Sequence, residues 1–254
     1  MIYIHTKIFI FLILCCAFSI WENIKPAYPS TQPRSLRWFV NLSLATCNST
    51  IAQLLPLLPP FLLAQSSYNS FGILKNIQFP EVLAIIITVI SLDFIIYWQH
   101  RFFHKIPWLW TWHRVHHEDQ DLDLSSGIRF HPIEMILSTL IKSAAVLCLG
   151  AHPLGIFIAE VILSSAAIFQ HSNISIGRWD YPLQKILVTP CMHRIHHSIP
   201  IKMTDSNFSF SISLWDHLFK TYHSPVTTSF MPLGTQKSRR NTPYSVRECF
   251  FIKF

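Results

Sequence analysis

From Ile133 to Gln170 the chain is almost continuously apolar, broken once by "GAHPLG" at 150–155. A run of that length is too long for one buried strand and suits helices of about a bilayer thickness. The break carries Gly150, Pro153 and Gly155, residues that stop helices and make turns. The segment therefore reads as a hairpin of two helices, each roughly one bilayer thickness or slightly less. Residues 80–98, "PEVLAIIITVISLDFIIYW", give a further strong apolar helix. Pro80 opens it, where a missing N–H costs nothing. Residues 8–21, "IFIFLILCCAFSIW", are a shorter apolar segment, read as a retained anchor in preference to a cleaved signal peptide. Residues 38–64 are a second apolar stretch that Pro56, Pro59 and Pro60 kink or end.

Composition agrees with this picture. Only 13% of the 254 residues are charged, against about 25% in ordinary soluble proteins. Mean hydropathy is +0.34. The net charge of +7 comes from scattered residues, which fits membrane flanks and gives no nucleic-acid footprint. Six cysteines form no CxxC pair and read as small buried hydrophobes, with no disulfide framework. The expected class is an all-α integral membrane bundle of about four transmembrane helices with a cytoplasmic histidine-rich cap. Its expected parts are N-terminal anchor helices at 1–79, a catalytic domain at 80–223 and a polar tail from 224, with "KSRR" at 237–240 and the unexplained ending "CFFIKF". The orientation follows from basic residues. Lys25, Arg34 and Arg37, then Arg101, Lys105, Arg114 and Arg129, then Arg178, Lys185, Arg194 and Lys202 fall on one side if the chain starts outside. The 65–79 loop, with only Lys75, falls on the other.

Histidines are the feature that composition does not explain. "HRFFH" spans 100–104, "HRVHH" 113–117 and "HRIHH" 193–197. His100 and His104 are one helical turn apart. His113, His116 and His117 share one helical side, and His193, His196 and His197 repeat that spacing. His171, in "FQHSN" at the end of the hairpin, is a candidate ninth member. A buried imidazole is costly unless its nitrogens are used, and neutral imidazole is a metal ligand for Zn, Cu, Fe or Ni. Eight or nine such ligands are too many for one ion and suit two. The glutamate of a zinc protease motif is missing between the histidines, as are the ExxH pairs of carboxylate-bridged di-iron bundles. A histidine-rich iron pair that activates dioxygen remains.

The order Asp93, Tyr97, "HRFFH", "HRVHH", "RFHPIE", "FQHSN", "HRIHH", "NF", "WDHLFKTY" resembles the fatty acid hydroxylase / sterol desaturase superfamily over roughly residues 80–223. The resemblance implies a membrane-embedded non-haem di-iron oxidoreductase that hydroxylates or desaturates a lipid (fatty acyl, sterol-like or other isoprenoid). Dioxygen would be co-substrate, and electrons would come from a separate cytochrome b5-like or ferredoxin-type protein. It also implies that the eight box histidines, with His171, hold two iron ions. Ser209 stands where the family usually has glycine, and Lys220 where it often has one. Asp93 is a candidate either to accept a hydrogen bond from a ligating histidine or to make a polar helix-packing contact, and Tyr97 has the same two readings. His131 and Glu134 are candidates either to hydrogen-bond a ligating histidine or to begin a helix, and a direct ligand role is a further reading of His131. His5, His152, His217 and His223 read as structural, and Trp108, Trp110 and Trp112 as an interfacial belt or a wall of the substrate entrance. A histidine-rich metal transporter, a bis-histidine haem protein and a non-catalytic homologue are the alternatives.

Overall fold

The computed structural model describes residues 2–54, 59–68, 72–77, 79–224, 231–235 and 242–251. Among these the chain is all-helical. In order the helices are α1 (Ile2–Ile24), α2 (Arg34–Leu54), α3 (Pro60–Ser67), α4 (Ile73–Ile77), α5 (Glu81–Lys105), α6 (Pro107–His117), α7 (Pro132–Leu149), α8 (Pro153–His171), α9 (Asp180–Leu183), α10 (Pro190–His196), α11 (Ile201–Thr204), α12 (Leu214–Leu218) and α13 (Val246–Phe250). A 3₁₀ turn at Leu124–Ile128 links α6 to α7. Pro56, the "KSRR" segment and the last three residues lie outside the described residues.

Among the described residues four helices are long and apolar enough to cross a membrane: α1 from His5, α5, α7 and α8. The chain is an all-α integral membrane protein. The α7–α8 hairpin closes as its residues require. Gly150 takes a left-handed φ of 63° at the end of α7, a conformation that glycine reaches without steric cost. Ala151 N–H then donates to Val146 O at 3.0 Å. Pro132 and Pro153 open their helices at positions that need no N–H.

The 38–64 segment departs from a simple span. It becomes α2 and the short α3, and neither is among the four candidate spans. One face of α2 is polar: Arg37 and Asn41 are buried there, and Asn48 donates to Phe130 O at 2.9 Å. That face packs on the 3₁₀ turn and the start of α7. Meanwhile α3 joins an apolar cluster of Phe61, Ala64, Leu92, Val146, Ala151, Ile156 and Ala159 at the other end of the bundle.

Arg37 is the centre of a buried polar clasp. Its guanidinium donates to Asp119 Oδ1 at 2.6 Å and Oδ2 at 3.0 Å, and to Asp123 Oδ2 at 2.9 Å. It also donates to the Asp121 carbonyl and to Ser126 Oγ. Burial alone would raise the Asp119 carboxyl, but the Arg37 charge overrides it and holds the group down at about 2. Arg129 completes the clasp through Val115 O at 2.8 Å, Asn41 Oδ1 at 2.8 Å and Cys249 Sγ at 3.2 Å. Arg37 and Arg129 are thus buried charge partners rather than exposed flank charges. The Cys249 contact accounts for part of the unexplained ending: α13 packs back on α2, with Cys249 buried beside Val40, Leu44 and Val115. All six cysteines are free.

Candidate metal centre

Pro107 decides how the first two boxes meet. Its ring bars Ile106 from the helical region, and Ile106 is extended at φ −98°, ψ 116°. The long α5 therefore ends at Lys105 and α6 begins immediately. His100 and His104, near the end of α5, then face His113, with ring centroids 4.9 Å from it in both cases. The third box lies on α10, which Thr189 caps by accepting from Met192 N–H and which Pro190 opens. His171 is the last residue of α8. Gly127 lets the 3₁₀ turn press on α8 at that point. A Cβ there would lie 2.6 Å from Ala167 O and 3.4 Å from His171 Nδ1.

The nine histidines converge as two groups. His100, His104, His113, His117 and His196 form one, and His116, His171, His193 and His197 the other; all nine are buried. Within each group the ligand nitrogens lie within 4.8 Å of one another. The groups adjoin where His117 stacks on His197, centroids 4.3 Å apart.

Five rings are aimed by a partner on Nδ1. Nδ1 of His100 pairs with Phe208 O at 2.7 Å, His113 with Glu134 Oε1 at 2.7 Å and His116 with Arg129 O at 3.1 Å. His171 pairs with Ala167 O and His196 with Ser206 O, each at 2.7 Å. Since carbonyls only accept, Nδ1 donates to each backbone partner, which leaves the Nε2 lone pair pointing inward. Burial holds His116, His117, His193 and His197 well below the usual histidine range, and His196 down to about 3. All five are neutral imidazoles, the ligating form.

The donor set fits metal ions. Nε2 of His104, His113, His117 and His196 is buried with no hydrogen-bond partner. Such orphaned groups are rare and call for an explanation. In the other group, Nε2 atoms approach in pairs: His171 to His116, His171 to His193, and His193 to His197, each at 3.0 Å. Ligands about 2.1 Å from one ion and at right angles to each other would be about 3.0 Å apart. A cation in each group would satisfy these nitrogens.

The remaining candidates take other places. Asp93 does not pair with a histidine; it accepts from Trp215 Nε1 at 2.7 Å and from Ile212 N–H. Tyr97 bonds Thr221 Oγ1 at 2.9 Å and stacks on Phe219. Both brace the 206–222 segment, which supplies the carbonyls behind His100 and His196. His131 caps α7, accepting from Ile133 N–H at 3.1 Å, while Glu134 is the residue that reaches a histidine. Trp108 is exposed, but Trp110 packs on His104 and His117, centroids 4.9 and 5.3 Å away. His5, His152, His217 and His223 stand outside both groups.

Sequence reasoning missed Asp216, which accepts from Phe208 N–H, Ser209 N–H and Thr221 Oγ1. Ser209 is accommodated, its Oγ accepting from Asp216 N–H at 3.1 Å. Asp205 was missed too; it lies 3.5 Å from His104 Nδ1. Lys220 does adopt a left-handed φ of 55°, the conformation glycine favours.

A cavity of about 400 Å³ opens on the histidines. His100 and His113 of one group and His116 and His193 of the other line it. Its remaining walls are largely apolar, among them Phe11, Ile96, Phe103, Met135, Leu163 and Phe210.

Comparison with known proteins places this geometry. The fatty acid hydroxylase profile matches residues 85–221, more than half of the chain. The chain belongs to the fatty acid hydroxylase family. It is 28% identical over 158 residues to an ornithine lipid hydroxylase of Rhizobium tropici, covering 62% of this chain and 47% of that protein. It is 28% identical over 143 residues to the alkylglycerol monooxygenase of Homo sapiens, covering 53% and 29%. To the cholesterol 25-hydroxylase of Mus musculus it is 27% identical over 159 residues, covering 59% and 50%. The chain thus spans half or less of the length of these relatives. No solved structure matches it significantly.

Proposed function

We propose that this chain is a membrane-bound non-haem di-iron oxidoreductase that hydroxylates or desaturates a lipid with O2. The observation that carries the reading is an apolar cavity walled by histidines of both groups. The relatives' names support lipid as the substrate class. His100, His104, His113, His117 and His196 would hold one iron, and His116, His171, His193 and His197 the other. Bound iron would supply the O2-dependent redox chemistry that an unactivated C–H bond requires.

The chain's own residues do the rest. Glu134 and the carbonyls of Phe208, Arg129, Ala167 and Ser206 fix ring orientation. Burial keeps the imidazoles neutral and ready to bind. Apolar walls align the lipid and keep water from the site. The apolar lining also speaks against a metal transporter, whose path would be polar. The catalytic unit is residues 80–223, with 1–79 as anchor helices and a tail from 224. Electrons come from a separate cytochrome b5-like or ferredoxin-type partner. A cytoplasmic position for the histidine end is supported by the basic residues Lys25, Arg34, Lys105, Lys185 and Lys202.

The test is isotopic. Membranes containing the protein, given reductant and ¹⁸O2, should yield lipid carrying one ¹⁸O or a new double bond. His113→Ala and His193→Ala should abolish both products at equal protein level. Wild-type membranes giving neither product, or both variants giving as much as wild type, would overturn the reading.

A further inference from the structure

Three ionisable side chains lie on α1, α7 and α8 within electrostatic reach of one another: Lys7, Lys142 and Glu160. Ionisable groups inside spanning helices are expensive, and they commonly mark substrate paths. Lys7 Nζ and Glu160 Oε2 are paired at 2.8 Å. Glu160 and Lys7 are also the charges that act on Lys142. One carboxylate therefore serves two lysines, and its close contact is with Lys7. Lys142 itself makes no ion pair with Glu160, so its ammonium form is the one that an added anion would favour.

Lys142 lines the cavity that opens on the histidines. Met135, Ser138 and Lys142 fall at i, i+3 and i+7 on one face of α7, and all three belong to the cavity wall. Glu134, bonded to His113, marks the histidine end of that face. Eight residues separate Glu134 from Lys142, a rise of about 12 Å along the helix at 1.5 Å per residue. The cavity is thus amphiphilic along its length: histidines at one end, largely apolar walls between, and a lysine beyond them.

We infer that Lys142 is a specificity-determining residue that binds an acidic group, carboxylate or phosphate, at the end of the lipid remote from the carbon attacked. The inference rests on reading the cavity as the lipid site. An anion there supplies the charge that Glu160, held by Lys7, does not. It also sets which stretch of the chain lies against the histidines, because the acid and the reacting carbon are held a fixed distance apart. A cavity of about 400 Å³ lies at the small end of ligand sites and suits a medium-length chain.

The experiment is equilibrium binding of radiolabelled dodecanoic acid to the full chain in phosphatidylcholine nanodiscs, at about pH 8, where the carboxylate is ionised. Methyl dodecanoate and dodecyl phosphate serve as competitors. The acid should bind about tenfold or more tightly than its methyl ester, as one charge-assisted hydrogen bond provides. Lys142→Met should erase that preference while leaving ester affinity unchanged, and Lys142→Arg should keep it. Dodecyl phosphate displacing the label better than unlabelled acid would identify phosphate as the group; the reverse order would identify carboxylate. Equal affinity for acid and ester in wild type, or a preference that survives Lys142→Met, overturns the inference. Iron content, read on the same samples, separates the two proposals. Iron-free protein that still prefers the acid refutes the oxygenase and keeps the anchor; iron-loaded protein with no preference does the opposite.

Discussion

Two buried polar clusters lie at the same end of this molecule, and they differ in one respect. In the clasp around Arg37 every charged side chain is hydrogen-bonded: Arg37 meets Asp119 and Asp123, Asn41 bridges to Arg129, and Arg129 reaches a carbonyl and a thiol. In the histidine cluster next to it, four Nε2 atoms have no partner and others are pressed together in pairs. Burial is alike in the two. A satisfied buried network holds a fold in place. An unsatisfied one stands ready for a cation that the protein alone does not supply.

The sharpest way to break this comparison is to remove one member from each cluster. Arg37→Met strands two buried carboxylates, at a cost of about 3–5 kcal/mol, and should lower the thermal midpoint in detergent severely. His117→Ala removes an imidazole with neither nitrogen paired. It should leave the metal-free midpoint near that of wild type while reducing metal binding. Equal loss of metal-free stability in the two variants would mean that the clusters do not differ in kind.

A smaller effect is expected from the loop that stands behind the rings. Asp216→Asn takes charge from the acceptor of Phe208 N–H and Ser209 N–H and should cost about 1–3 kcal/mol. Because Phe208 O backs His100, iron affinity should fall as well. An unchanged affinity would detach the loop from the site.

Acid should separate the clusters without mutation. The His196 imidazole is held down to about 3, whereas in the unfolded chain it titrates near 6.5, at about its reference value. Between those values the unfolded state binds more protons, so metal-free stability falls as pH drops through about 6.5. The Asp119 carboxyl is depressed to about 2. Its contribution is whole above about pH 4, where the unfolded carboxyl titrates, and fades only below that. Melting of metal-free protein between about pH 8 and 5 should thus show decline from the histidines and none from the clasp. A flat profile would count against neutral, buried imidazoles.

The smallest effect concerns Lys220, whose left-handed φ costs about 1 kcal/mol for a residue with a Cβ. Lys220→Gly should stabilise by something under that amount, since glycine gives part back through the unfolded chain. Equilibrium denaturation checks the sign.

What the sequence revealed follows from how locally each feature is determined. The α5 helix, the α7–α8 hairpin and its Gly150 turn are set by apolar runs and by residues within one turn of each other. The histidine boxes were legible for the same reason, since each is a helical spacing and only their convergence is long-range. Asp93 and Tyr97 were legible as unusual but not in their partners, because Trp215 and Thr221 lie more than a hundred residues away. Arg37 reads as a flank charge because its partner Asp119 lies 82 residues away in sequence. The polarity of α2 was hidden in a segment of average apolar character, where Leu36, Phe39 and Leu42 are exposed and Arg37 and Asn41 are buried in the clasp. Which histidine shares which group is a matter of packing between α6 and α10, and no spacing encodes it.

The most direct test of the central claim is iron per chain in protein purified from iron-replete cells, beside His196→Ala from the five-histidine group and His116→Ala from the four-histidine group. Two sites predict about two irons in wild type, with each variant losing iron chiefly from its own group. Wild-type protein without iron, or iron content indifferent to both substitutions, would contradict the assignment of these histidines as a dinuclear centre.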